Sequence, residues 1–249
     1  MNSLRYRFVF VVMAALLAAT PTVHAACSNA SVTGTYGIIS TGLNGSGQPA
    51  SSVDQVTADG VGNITGTSTK SINGSIVTFP FTGTYQISTN CTGKATFNNQ
   101  DGSTEHDSIF LNNGNKGAFL IQTDAAHVQS SVGAAQGSAT CTNLGVAHAY
   151  TLEATGIVTG LGQVAVAGRL TFNGTGSISG SETQSLNGAI STLSVTGTYQ
   201  INSDCTGTAS ITPKGMSAMN LSLVVVSSGK EIMLIETDNG TIVAGTMQQ

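Results

Sequence analysis

Along most of the chain, apolar and polar residues alternate with a period of two, in short runs broken by Asn-Gly and Asp-Gly pairs. This pattern predicts strands, because successive side chains of a strand point to opposite faces. In the first half, strands are expected at about 34–41, 52–58, 63–72, 77–88, 93–97, 107–112, 118–123 and 127–132. The separators are Asp59-Gly60, Asn73-Gly74, Asp101-Gly102, Asn113-Gly114 and Thr123-Asp124. Asn-Gly and Asp-Gly favour tight turns with positive φ, so consecutive strands should be antiparallel neighbours. Eight such strands hide their edges by closing into an up-and-down barrel or by folding over into a β-sandwich. The unbroken series of hairpins favours the barrel, whose interior has room for packed side chains or one small ligand.

The chain repeats itself at an offset of 114 residues, without a gap from Cys27 to Asp238. Thr82-Gly83-Thr84-Tyr85-Gln86-Ile87 returns unchanged as Thr196-Gly197-Thr198-Tyr199-Gln200-Ile201, and 20 of 40 positions are identical between 60–99 and 174–213. A period this long matches a small domain rather than a solenoid repeat. The predicted class is therefore all-β, with two tandem antiparallel meander domains. The divisions are a signal peptide at 1–25, one barrel at 26–136, a linker at 137–140 and a second barrel at 141–249. Each copy holds two cysteines 64 residues apart. Duplication copies a domain with its internal staple, so Cys27 should pair with Cys91 and Cys141 with Cys205.

The first residues read as an export signal: Arg5 and Arg7, the apolar run Phe8 to Ala19, then Val23-His24-Ala25 as a small-residue cleavage pattern. No apolar stretch reaches the roughly 18 residues needed for a membrane span. Cys27 after Ala25-Ala26 also suggests lipid attachment, but His24 fits a lipobox poorly and the equivalent Cys141 is internal. Secretion, to the periplasm, the cell surface or beyond, is the expected fate, and it permits the disulfides. Without Arg5 and Arg7 the basic residues fall from 8 to 6 against 12 acidic ones, a net charge of 6 − 12 = −6. That argues against a nucleic-acid partner, which needs a basic surface.

The Gly-Thr-Tyr openings, the Asp59-Gly60-Val61-Gly62-Asn63 hairpin and the block from Gly83-Thr84-Tyr85 to Cys91-Thr92-Gly93 resemble a group of uncharacterised secreted bacterial proteins. The general plan is similar to calycin-type barrels: avidins, lipocalins and allene oxide cyclase-like domains. The resemblance implies a barrel and, with it, a carrier of a small apolar ligand. No avidin ligand residue carries over, because Trp is absent, and Gly34-Thr35-Tyr36 has Tyr where lipocalins begin with Gly-x-Trp.

Candidate chemistry is sparse. There is no G-x-S-x-G, no H-E-x-x-H and no phosphate-cradling loop, so no catalytic residue, cofactor or metal is assigned. Glu105-His106-Asp107 is the densest titratable stretch. Alternation puts Glu105 and Asp107 on one face and His106 on the other, and a solvated strand edge accounts for them. Asp59 and Asp124, repeated as Asn173 and Asp238, are expected to cap turns. Tyr36, Tyr85, Tyr150 and Tyr199 are all duplicated: their hydroxyls either line a ligand cavity or cap backbone groups in a buried plug, and the plug is preferred. Leu221 to Val226 is apolar on both faces, so its outer face is expected to pack on the first copy or on another chain. Three function classes follow, in order: a non-catalytic structural, adhesive or interaction protein outside the cell; a carrier of a small apolar ligand; and a cyclase- or isomerase-like barrel enzyme.

Overall fold

The computed structural model describes residues 26–112, 116–137 and 141–249. The signal stretch, the Asn113-Gly114 turn and linker residues 138–140 lie outside them. Sixteen strands follow in order: β1 Thr33–Leu43, β2 Pro49–Asp59, β3 Asn63–Ile72, β4 Ser75–Ile87, β5 Thr92–Asn99, β6 Thr104–Leu111, β7 Gly117–Gln122, β8 Val128–Ala135, β9 Ala149–Val158, β10 Gly162–Phe172, β11 Ser177–Leu186, β12 Ala189–Ile201, β13 Thr206–Pro213, β14 Met219–Val226, β15 Glu231–Glu236 and β16 Thr241–Gln248. Within each barrel, every strand pairs antiparallel with its chain neighbour. β1 closes onto β8 (Tyr36↔Ala135 through Leu43↔Val128) and β9 onto β16 (Thr151↔Gln248 through Val158↔Thr241). The result is two eight-stranded up-and-down barrels, not sandwiches.

The turns explain the topology. Asn73 and Gly74 both have positive φ (50° and 82°), as do Asn187 and Gly188 (48° and 86°), the geometry that twists two strands into a tight hairpin. The Asp59 carboxylate accepts from the backbone N–H of Val61, Gly62 and Asn63 at 2.8–2.9 Å, and Asn173 repeats this toward Thr175 and Ser177. Asp124 and Asp238 cap likewise, accepting from the N–H of His106 and Asn220 at 2.8 and 2.7 Å.

One end of each barrel is plugged. The two disulfides pair as expected, with Cα separations of 5.0 and 4.9 Å, and tie the segment before the first strand to the fourth hairpin turn of the sheet. Behind each bridge the chain makes a 3-10 turn, at Asn29–Ser31 and at Leu144–Val146. The side chains of Asn29 and Asn143 accept from the N–H of Ile87 and Ile201, both at 2.7 Å. In the second barrel Tyr150, Phe172 and Tyr199 stack in sequence, with ring centroids 5.4 and 4.6 Å apart.

The barrels pack on each other. From β14, β15 and β16, the outward side chains of Val224, Val226, Met233, Ile235 and Ala244 form a cluster with Val53 of β2, Ile39 of β1 and Ala134 of β8. Gly37 lets them approach: a Cβ there would lie 2.6 Å from Val226 Cγ1 and 2.8 Å from Val224 Cγ1. Polar contacts rim the cluster. The Ser71 hydroxyl donates to the Thr241 carbonyl, the Gln55 amide to the Asp204 carbonyl, and the Gly240 N–H to the Gly74 carbonyl at 2.8 Å. Of the two partners expected for the apolar outer face of β14, the first copy is the one it meets.

Candidate functional site

The plug places the four tyrosines. Tyr85 donates to the Val32 carbonyl at 2.6 Å, with the Asn29 carbonyl 3.0 Å away. Tyr199 donates to the Asn143 carbonyl at 3.0 Å and accepts from the Gly174 N–H at 2.9 Å. Tyr150 donates to the Gly229 carbonyl at 2.6 Å, and Tyr36 faces the Thr33 carbonyl at 3.5 Å. Tyr36 and Tyr85 border a small apolar chamber of about 60 Å³. Tyr150 and Tyr199 border none of the larger spaces described next.

The opposite end of each barrel is open. In the second barrel a cavity of about 660 Å³ reaches from the β9–β10 and β13–β14 hairpins down to Leu152, Leu221 and Leu234. Its wall is mostly aliphatic and thioether, with Glu182, Gln184, Ser217, Glu236 and Asp238 as the polar exceptions. Glu182 on β11 and Glu236 on β15 are four strands apart in either direction around the closed barrel, so they stand on opposite walls. Glu182 is 2% exposed, and neither carboxylate oxygen has a hydrogen-bond partner. Burial raises its pKa. Burial, and then the charge of Asp238, pushes Glu236 up to about 7.

The first barrel is built differently. Its open mouth, about 820 Å³, is lined by Asn44, Asp101, Thr104 and His127 at the rim, with Lys70, Glu105 and Gln122 deeper. Below lies a polar chamber of about 20 Å³, room for one water. Lys70 Nζ meets Glu105 Oε2 at 2.8 Å, and the Ser52 hydroxyl donates to Asp54 at 3.1 Å. Burial lifts Asp54 to about 6 despite the nearby Lys70 charge, and burial with the Glu105 charge lifts Asp107 to about 7. Burial pulls Lys70 down, but the Glu105 and Asp54 carboxylates outweigh it and hold the ammonium above its ordinary value. The solvated-edge expectation for Glu105-His106-Asp107 therefore fails for two of its members. Glu105 and Asp107 do share a face, but it is the barrel interior, because β6 begins at Thr104 and runs through both. His106 points outward, where its ring meets Asp124 Oδ1 at 2.7 Å on the surface.

The offset of 114 residues shows how the interiors diverged. Asp54, Lys70, Glu105 and Asp107 are replaced by Gly168, Gln184, Met219 and Leu221, while Ser68 and Gln122 become Glu182 and Glu236. Neither glutamate belongs to a recognisable motif, and neither is duplicated. Strand parity was the available signal: Glu182 shares its face with Ile178, and Glu236 shares its face with Ile232 and Leu234, which belong to the core.

These carboxyls set the pH response. A folded-state pKa of about 7 on Glu236, against an ordinary 4.5, means that the folded chain holds a proton the unfolded chain has lost. Its contribution to stability is full below about 4.5 and disappears as pH rises through about 7; Asp107 and Asp54 act in the same direction. Glu236→Gln should flatten part of that fall and raise Tm at pH 8 by roughly 5 °C, corresponding to about 2 kcal/mol after allowing for water in the mouth. Thermal melts of both proteins from pH 5 to pH 8 check this, and parallel curves would refute it.

No protein-family model matches the chain, and no curated protein matches it. Among solved structures, kievitone hydratase from Nectria haematococca aligns with a TM-score of 0.32 and 7% identity, over 87% of this chain and 89% of that one. An overlap this weak carries no argument. Among the described residues no helix is long and apolar enough to cross a membrane, and no cluster of His, Cys, Asp or Glu is arranged to hold a metal.

Proposed function

We propose that the protein is a non-catalytic carrier outside the cytosol, which holds a small, largely apolar molecule in its second barrel. The observation that carries this reading is the open cavity of about 660 Å³, within the roughly 300–1,000 Å³ typical of small-molecule sites. A purely structural barrel would fill that volume with side chains, since interiors pack close to crystal density. The cavity thus moves the carrier ahead of a structural or adhesive role. The two disulfides support an oxidising compartment. A catalytic role finds no support in the histidines: His106 pairs with Asp124 on the surface, and neither His106 nor His148 borders the cavity.

Binding of Nile red, a neutral apolar dye, tests the reading. The protein should bind it with micromolar affinity and a blue-shifted emission. Val166→Trp, which projects an indole from β10 into the cavity, should weaken binding at least tenfold. Equal affinities for the parent and this variant would overturn the assignment.

A further inference from the structure

The cavity of the second barrel has a one-sided charge. Its lining contains three acidic side chains, Glu182, Glu236 and Asp238, and no Lys, Arg or His. In the first barrel the inward acids surround a cation, Lys70, but the equivalent position in the second barrel is Gln184. Gln184 does not serve as a substitute donor, because its amide is directed at the Met216 sulfur, 3.2 Å away. Glu182 is left with both oxygens buried and unpartnered beside a large apolar volume. Such a group is costly to keep unless something completes it, because a buried carboxyl without partners forfeits its hydration.

Resting on the carrier reading, we propose that the ligand is an apolar amine, whose ammonium is held by Glu182 while its hydrocarbon body fills the aliphatic wall. A cation in the low-dielectric cavity interacts with the carboxylate far more strongly than it would in water. The same charge rejects fatty acids and other anionic amphiphiles, so the site selects by headgroup as well as by shape.

Decylamine, decanol and decanoate share one chain and differ in the headgroup, and they serve as probes for calorimetric titration of the full protein at neutral pH. Decylamine should bind at least about tenfold more tightly than decanol, and decanoate most weakly. Glu182→Gln should lower the amine-to-alcohol ratio several-fold, with Glu236 and Asp238 still lining the cavity. Equal binding of amine and alcohol to the parent, or an unchanged ratio in Glu182→Gln, would overturn the headgroup assignment and leave the carrier reading standing. Failure of all three probes would overturn both.

A different observation concerns the first barrel. Phe110, Phe119 and Val132 lie side by side on the outer faces of β6, β7 and β8, through the register pairs Phe110↔Phe119 and Phe119↔Val132. They are 49%, 57% and 44% exposed, and Ile121 beside them is 49% exposed. The ribbon is continuous with the contact between the barrels, because Val132 pairs with Ile39, which packs in that cluster. The counterparts of Phe110, Phe119 and Ile121 in the second barrel are Val224, Met233 and Ile235, all buried against the first barrel. The first barrel therefore presents the face that its duplicate has already docked. It cannot continue the series head to tail: where Ile39 and Gln55 receive the docked face, a second copy offers Glu153 and Arg169.

From this we infer that two copies of the chain associate face to face through Phe110, Phe119, Ile121 and Val132, as a self-complementary apolar patch permits. Sedimentation at micromolar concentrations should give a dimer. Phe119→Asp, at an exposed position, should give a monomer with the parental melting temperature. A parent that stays monomeric at 100-fold higher concentration would overturn the inference and leave the face to a different protein, and a dimer unaffected by Phe119→Asp would do so as well.

Discussion

Val226→Asp uncouples the two barrels: a single unfolding transition becomes two, and the hydrodynamic radius increases. The Val226 side chain is fully buried, packed with Val224 and Met233 over Gly37 of the first barrel. No cation is among the residues of that cluster, so the new carboxylate meets an apolar surface with nothing to neutralise it. Leaving a buried charge unpaired costs about 3–5 kcal/mol, more than rim contacts such as Gly240 N–H to Gly74 can offset. Gly37→Val should reproduce the effect from the other side, because its Cβ alone would stand 2.6 Å from Val226 Cγ1. Calorimetry and sedimentation read both variants. One transition at the parental temperature with an unchanged radius would mean that the contact holds nothing together.

The second large effect belongs to the plug. Cys141→Ala with Cys205→Ala should lower the stability of the second barrel by about 4 kcal/mol, from the closure entropy of a loop spanning 64 residues. The loss is more than entropic. The bridge anchors the segment that carries Asn143, whose carbonyl receives the Tyr199 hydroxyl and whose side chain caps the Ile201 N–H. Cys205 also sits at φ 70°, a left-handed conformation unfavourable for Ala and retained only while the turn is held. Denaturant titration, with near-ultraviolet circular dichroism following Tyr150 and Tyr199, checks this. A double variant within 1 kcal/mol of the parent would show that the aromatic stack alone closes the end.

Much of the fold was legible in the sequence because barrels of this type are written locally. Asn73-Gly74 and Asn187-Gly188 fix hairpins without reference to anything distant, and the repeat fixes the cysteine pairing. Strand ends were less legible. β2 starts at Pro49 and β6 at Thr104, earlier than apolar alternation suggests, because closure requires continuous backbone pairing even where the side chains are Ser51, Ser52 or Glu105. The site was the least legible part. Duplicated tyrosines drew attention because they persist in both copies, and they persist because they plug. Glu182 and Glu236 appear in one copy only, so comparison of the repeats passes over them, although their strand parity points inward. The cavity was not legible either, because its volume is set by how side chains from strands distant in sequence, such as Leu152 on β9, Val166 on β10 and Leu221 on β14, leave space between them.

The contact between the barrels lies across a join. Ile39 is on β1 and Ala134 on β8, the two strands whose pairing seals the first sheet and brings together the most distant parts of that barrel's chain. Such a join carries the largest loop-closure cost, so it is where a closed sheet would be expected to fray first. With the second barrel clamped over it, breathing of the first barrel requires undocking as well. Amide hydrogens along Ile38 to Ser40 should then exchange with solvent as slowly as those of the deepest core.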